Sequence, residues 1–303
     1  MLGIVIANWN GEKLIDECLK SLENQSFKAF KLYIIDNNSK DKSKEVIKRY
    51  NEKLNIDLTE MNYNSGFAQA NNIGIKKAIN DGCQYILTLN NDVEVSKESL
   101  KNAMNYIENN KEFDVFQLFM INYFNKEICD AAGLNFNDLI PLQVGFKESA
   151  SEILSKEKIE IEGVCAGAAI YSVKALEAVK LDNENYFDSN FFAYFEDVDL
   201  SLRLKSAGFK AKLLKDSIVY HMHSATGGKT SGFKEYYLTR NLFMYTKRNQ
   251  SLEEYNKHKK EYYIRFLKTV IKNINNFNAV KSAIKGLNDG LKESKKIEYW
   301  KVQ

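Results

Sequence analysis

Apolar residues recur in the first third of the chain in two alternating styles. Largely apolar runs at residues 4–7, 30–35 and 85–89 read as strands, 56–61 is a third in chain order and a weaker candidate with Asp57, Thr59 and Glu60 interspersed, and each gives way to Asn or Asp. Between the first two runs, Leu14, Ile15, Cys18, Leu19 and Leu22 fall three and four apart, as on a helix with one buried stripe. Val46, Ile47 and Tyr50 mark a second helix, capped by Ser39 or Asp41, and a third is expected over 73–80. Strand and helix alternate at roughly 25 to 30 residues, which predicts right-handed βαβ units and an α/β fold with a mostly parallel central sheet.

The second half is less regular. A helix is expected over 97–109 and a pair of strands within 113–124. Residues 130–160 are mixed and charged and read as a loop-rich insertion. The core resumes at 159–171, followed by a helix over 173–179. A helix beginning near Asp197 stops at Gly208 and pairs Asp199 with Arg203 one turn apart, and strands follow over 210–215 and 217–221. Beyond 245, Ile264, Leu267, Val270, Ile271 and Ile274 fall at helical spacing with Arg265, Lys268 and Lys272 among them, and residues 280–291 repeat the style. The expected organisation is a catalytic body over 1–245, divided into 1–110 and 111–245, with a basic amphipathic helical region over 246–303.

Candidate chemistry gathers where the strands end. Asn8 and Asn10, Asp36 and Asn38, Asn64 with Asn71 or Asn72, and Asn90, Asn91 and Asp92 follow successive strands. In a parallel sheet such tips share one edge, the place where open α/β sheets bind ligands. Each could equally be a turn or a helix cap. Together they suit a nucleotide, with Asp92 placed to hold a divalent cation on a diphosphate and Asp36 able to accept the N3–H of uracil or thymine. No Gly-x-Gly-x-x-Gly follows the first strand and no Gly-x-x-x-x-Gly-Lys-Ser/Thr occurs, which argues against dinucleotide and P-loop sites.

Two further groups stand out. Glu196, Asp197 and Asp199 open a helix behind the aromatic run Phe191-Phe192-Ala193-Tyr194-Phe195. They either complement the helix dipole or supply a general base in a pocket of low dielectric, with Asp197 the base and Glu196 orienting it or binding acceptor hydroxyls. His221 and His223, two apart at a strand end, are candidate metal ligands beside a carboxylate, or histidines with no ligand. Lys229 and Arg240 could neutralise a diphosphate leaving group.

Composition narrows the rest. The chain has 303 residues, 44% hydrophobic and 12% aromatic, as in a folded protein. Its net charge of +3 is uneven: residues 247–303 carry 14 Lys and Arg against 6 Asp and Glu, a local +8. A basic tail suits an anionic membrane surface, and packing on the body or on a second copy in a homodimer is the alternative. No base-stacking motif supports specific nucleic-acid binding. Four scattered cysteines form no close pair, and no stretch is long and apolar enough to span a bilayer. Without a basic, apolar leader at residue 1, the expected location is the cytoplasm, with the inner face of the membrane the expected surface if the tail binds lipid.

The segments IVIANWNGEKLIDECLKSL, YIIDNNSKD, NSGFAQANNIGI, YILTLNNDVEV, CAGAAIYSV, FFAYFEDVDLSLRLKSAGF and VYHMHSA, followed by YYLTRN, occur in the order of the inverting family 2 nucleotide-sugar glycosyltransferases, and the chain resembles the rhamnosyltransferase-like branch of that family. The resemblance covers about residues 1–245. It implies a GT-A fold, a Rossmann-like nucleotide half joined to an acceptor half, and a divalent cation, Mg²⁺ or Mn²⁺. It also implies that Asp36 reads the pyrimidine, that Asp92 ends a degenerate Asp-x-Asp signature, and that Asp197 deprotonates the acceptor. Gly66, Asn71 and the other strand-tip residues would then line the nucleotide. The first signature position is Asn90, so this site carries one charge fewer. A dTDP- or UDP-sugar donor, rhamnose first, and a glycan or lipid-linked acceptor in cell-surface polysaccharide synthesis are implied. A nucleotidyltransferase or a catalytically dead nucleotide-sugar-binding subunit are the alternatives.

Overall fold

A computed structural model describes residues 1–137, 140–222 and 232–297. The first half runs β1 (Leu2–Asn8), α1 (Glu12–Glu23), β2 (Phe30–Asp36), α2 (Ser43–Lys48), β3 (Ile56–Glu60), α3 (Gly66–Asn80) and β4 (Tyr85–Leu89). It continues through β5 (Val93–Val95), α4 (Ser99–Asn109), β6 (Val115–Asn122), β7 (Cys129–Ala131), β8 (Leu134–Asn137), β9 (Ile140–Gln143) and α5 (Ala150–Ser155). Then come β10 (Ala168–Ser172), α6 (Val173–Val179), α7 (Glu196–Ser206) and β11 (Ala211–His221), and last α8 (Phe233–Asn249), α9 (Leu252–Lys272) and α10 (Phe277–Glu293).

The main sheet has the order β3-β2-β1-β4-β10-β6-β11-β5, with β7 beside β6. From β1 the chain moves outward through β2 to β3, then returns to the other side of β1 as β4. The ends of β1 and β4 therefore flank a topological switch point, where a crevice opens. β1 pairs in parallel with β2, placing Asn8 opposite Asp36, and with β4. The rest of the sheet is mixed: β10 runs antiparallel to both β4 and β6, β5 runs antiparallel to β11, and β11 runs parallel to β6.

The apolar runs are buried on both faces because helices cover both. Ile15, Cys18, Leu19, Val46, Leu100 and Ile107 from α1, α2 and α4 pack on one side with Ile4, Ile6 and Leu87. Ile75 and Ala78 of α3, Leu176 of α6 and Leu200 and Leu204 of α7 pack on the other with Val5, Tyr33 and Tyr171.

Several local expectations change. Residues 113–124 hold one strand, β6, rather than a pair, and 210–221 form one strand with a register shift between Leu214 and Ile218. The supposed insertion at 130–160 contains β7, the β8–β9 hairpin and α5. Helix α3 begins at Gly66, not near Ile73, because its first N–H groups find acceptors from elsewhere. Asn64 Oδ1 accepts from Gly66, and the carbonyl of Phe192 accepts from Phe67 and Ala68. Gly66 sits at φ +81°, where a Cβ would lie 2.5 Å from the Phe192 oxygen.

The boundary expected at 245/246 falls inside α8. Helix α10 packs tightly on α8, and it can do so because Gly286 and Gly290 face that helix. A Cβ at Gly290 would stand 2.6 Å from the Arg240 carbonyl. The amphipathic tail is thereby joined to the body.

Candidate active site

At the switch point the polar strand tips are tied together. Asn8 is fully buried at the end of β1, and its amide donates to Asp36 at 2.9 Å and to Ser39 at 3.3 Å. The Asn8 side-chain oxygen Oδ1 in turn accepts from the Asn91 side-chain amide at 2.8 Å, which joins the ends of β1 and β4. Asp36, also buried, accepts from the backbone of Ser39 at 2.9 Å. Two of the four lone-pair positions on its carboxylate are therefore in use. Asn10 and Asn38 hold left-handed turns at φ 49° and 62°, a conformation asparagine tolerates. Asn10 accepts from Lys40 and Asn38 donates to the carbonyl of Asn62.

The Asn90-Asn91-Asp92 turn leads into β5, which pairs with β11, so Asp92 meets His221. Its carboxylate is 3.2 Å from Nε2, while Nδ1 lies 2.5 Å from Asp130 of β7. Burial opposes charge on this imidazole, but the hydrogen bonds to Asp130 and Asp92 outweigh it and push its pKa up to about 10. Asn90 lies 3.5 Å from the same Nε2. Asp130 was not legible as a site residue; it was a lone carboxylate in a stretch that read as a loop.

Among the described residues, no three His, Cys, Asp or Glu side chains form a cluster able to hold a metal ion alone. What the turn offers is one largely buried carboxylate, Asp92, beside two neutral amides. Such a donor set fits a hard cation that binds through one or two carboxylates and completes its shell with phosphate oxygens and water. His223 and Lys229, expected as metal ligand and phosphate counter-charge, lie outside the described residues.

The second carboxylate group is brought to the same place by residues 165–167. The N–H of Asn90 donates to the Gly167 carbonyl at 2.9 Å, and the N–H of Ala166 donates to Asp197 at 3.2 Å. Asp197 also accepts from the Val198 N–H at 2.8 Å. Burial raises the pKa of Asp197, and these N–H donors pull against it. Glu196 is raised well above the ordinary value, by burial first and then by the neighbouring Asp197 charge, and its Oε2 is buried without a hydrogen-bond partner. Burial and mutual repulsion disfavour charge on both carboxyls at once, and the N–H donors on Asp197 favour placing the single charge there.

The backbone leading into this helix start is strained. Phe192, Tyr194 and Phe195 all have positive φ, at 66°, 69° and 73°. Helix α8 holds them. The amide of the fully buried Asn241 donates to the carbonyls of Phe191, Ala193 and Tyr194 at 2.9, 2.7 and 2.7 Å. Phe192 stacks on Tyr237 with ring centroids 5.1 Å apart. The aromatic run thus anchors the loop to α8 as well as bounding the site.

Two expected nucleotide residues have other work. Arg240 is buried, bonding Glu293 at 2.7 Å and the carbonyl of Asn190, so its guanidinium clamps α10 to the loop between α6 and α7, termed the acceptor loop because it falls in the half expected to bind the acceptor, instead of standing as a diphosphate counter-charge. Asn71 is buried within α3 and donates to the Phe67 carbonyl one turn back. Its neighbour Asn72 reaches out instead. That side chain donates to the Phe187 carbonyl and accepts from the N–H groups of Tyr186 and Phe187, joining the nucleotide half to the acceptor loop. Gly66 belongs to the same join through its contact with Phe192.

Residues 3–180 match the model of Glycosyl transferase family 2. The poly(ribitol-phosphate) beta-N-acetylglucosaminyltransferase TarS of Staphylococcus aureus is 26% identical over 261 residues, which are 84% of this chain and 42% of TarS, so the chain spans about two fifths of that relative. The rhamnosyltransferase WbbL of Escherichia coli is 28% identical over 222 residues, covering 69% of this chain and 79% of WbbL. Among solved structures, S. aureus TarS in complex with UDP-GlcNAc superposes with a TM-score of 0.60 at 20% identity, covering 98% of this chain and 83% of that one. The mannosyltransferase PcManGT of Pyrobaculum calidifontis, solved with GDP-Man and Mn²⁺, gives 0.57 at 12% identity, covering 96% and 75%. With its switch-point crevice, its tied strand tips and the family model across more than half its length, the chain belongs to glycosyl transferase family 2 and has the GT-A fold.

Proposed function

We propose that this chain transfers a sugar from a pyrimidine nucleoside diphosphate donor to a hydroxyl of a cell-surface polysaccharide or its lipid-linked precursor, with inversion at the anomeric carbon. The observation that carries the proposal is the fastening of Asn90 and Asp197 to neighbouring residues of one segment, which supports a donor site and a base facing one crevice. The names of TarS and WbbL support the acceptor class, and the TarS complex supports a UDP-sugar beside the dTDP-rhamnose expected from the sequence.

In this proposal Asp36, with its two remaining lone pairs, accepts the N3–H of the uracil or thymine ring. Asp92 binds a divalent cation, Mg²⁺ or Mn²⁺, a choice supported by the Mn²⁺ complex of PcManGT. When bound, the cation offsets charge on the departing diphosphate. His221 holds Asp92 in place through its bond to Asp130. Asp197 takes the proton from the acceptor hydroxyl as that oxygen attacks the anomeric carbon and the nucleoside diphosphate leaves in line. Glu196, protonated, offers a hydrogen bond to an acceptor oxygen.

A panel of UDP-, GDP- and dTDP-sugars, each with and without Mn²⁺, tests the donor class by thermal stabilisation of the protein. Metal-dependent stabilisation by a UDP- or dTDP-sugar and none by GDP-sugars is expected. Stabilisation by GDP-sugars alone contradicts the pyrimidine assignment.

A further inference from the structure

Helix α9 has two apolar stripes, and among the described residues only one of them packs on the rest of the fold. Its inner stripe, Tyr255, His258 and Tyr262, packs beside Leu242 and Phe243 of α8. Its buried residues end at Tyr262. From there the helix carries Ile264, Leu267 and Ile271 on its outer side. The row continues through Ile274 in the following turn to Phe277 at the start of α10. Leu267 is 52% exposed, Ile271 66%, Ile274 70% and Phe277 78%. A row of large aliphatic and aromatic side chains standing this far into water calls for an occupant.

The charges beside the row identify it. Lys268 and Lys272 lie one position further round α9 from Ile264, Leu267 and Ile271, and Lys260 precedes the row; Lys281 and Lys285 are exposed on α10. Between residues 259 and 285 the only acidic side chains are on Glu261. In a symmetric dimer the same patch meets itself, so two lysine-flanked rows would face each other with one carboxylate apiece for relief. An anionic leaflet supplies both things the face lacks, an apolar depth for the isoleucines and phosphates for the lysines. No described helix is long and apolar enough to cross a membrane, so the contact is one of lying on the surface.

We propose that the outer face of α9 and the turn into α10 dock this protein on an anionic phospholipid surface, with Ile264, Leu267, Ile271, Ile274 and Phe277 entering the interface. Through α10, α8 and the Arg240 link to Asn190, the docked face is mechanically continuous with the acceptor loop. The proposal does not rest on the donor or acceptor assignment, because docking is read without nucleotide sugar.

The test is cosedimentation of the full chain with vesicles of phosphatidylcholine alone or mixed with phosphatidylglycerol. Binding to the mixed vesicles, weakened by salt and absent on phosphatidylcholine, is expected. The pair Lys268→Glu with Lys272→Glu is expected to lower partitioning by roughly tenfold or more. The pair Ile271→Asp with Ile274→Asp is expected to lower it as far, both at unchanged melting temperature since all four side chains are exposed. Absence of vesicle binding, or binding that neither pair weakens, overturns the proposal. So does a concentration-dependent dimer that both pairs dissolve, which assigns the face to a second copy.

Discussion

Asn90 and Asp197, far apart in the chain, are fastened to consecutive residues: the Gly167 carbonyl accepts from the Asn90 N–H, and the Ala166 N–H donates to Asp197. A shift of either partner is felt by the other within one peptide unit. The Asn90-Asn91-Asp92 turn and the start of α7 are therefore joined through one short segment, and the predictions for the proposed site build on that.

The Glu196–Asp197 pair sets a pH dependence with a definite sign. Asp197 must be ionised to act as a base, and burial raises its pKa above the ordinary 3.8. Transfer measured as kcat/KM therefore rises with pH along a limb displaced upward from that of an unperturbed aspartate. Stability runs the other way. Glu196 binds its proton more tightly folded than unfolded, so its contribution is fully present below the ordinary 4.5 and is lost as pH rises through its raised folded value. Thermal melts across pH should show the wild type losing ground to Glu196→Gln as pH rises above 4.5, with parallel curves contradicting the assignment.

Asn241 spans three carbonyls of a loop that contains three left-handed residues. Asn241→Ala leaves those acceptors without this donor and is expected to cost about 1–3 kcal/mol in denaturant unfolding. Turnover should fall with little change in donor affinity, because in the proposed function the loop leads into the base and does not hold the nucleotide. Loss of donor affinity alone would place Asn241 elsewhere in the mechanism.

Two residues beyond Asp197, Asp199 and Arg203 form a fully buried ion pair at 2.8 Å, completed by Asn249 on the carboxylate and by the Val179 and Tyr186 carbonyls on the guanidinium. Removing one partner strands the other charge. Asp199→Ala is expected to destabilise by about 3–5 kcal/mol, and urea titration measures it.

Gly66 has positive φ and has the Phe192 oxygen where a Cβ would be. Gly66→Ala is expected to cost roughly 1–3 kcal/mol and to loosen the join between the two halves. A calorimetric melt indistinguishable from wild type would mean that this approach relaxes without cost.

The strand tips were legible because a buried parallel strand ending in Asn or Asp is a local pattern: Asn8, Asp36 and Asn90 announce themselves beside their own apolar runs. Asp197 was legible as one carboxylate of a cluster at a helix start. The partners that fix these residues were not, since each is a tertiary choice. Asp130 meets His221 only because β7 folds beside β6, and nothing around it distinguishes it from a surface aspartate. Asn71 and Asn72 have the same chemistry, and helix phase alone decides which reaches the acceptor loop. Arg240 looked like a phosphate ligand because a guanidinium suits a phosphate and a carboxylate equally; Glu293, from α10, takes it. The exposed row on α9 was visible as helical spacing, but which stripe packs inward needed Tyr255 and Tyr262 to be seen against α8.

The most direct measurement is single-turnover transfer by Asp197→Asn, saturated with the donor that stabilises the wild-type protein. The expected result is a rate lower by about 10²-fold or more with unchanged donor affinity, the loss of general-base assistance alone. A rate near that of the wild type would contradict the placement of the chemistry at Asp197.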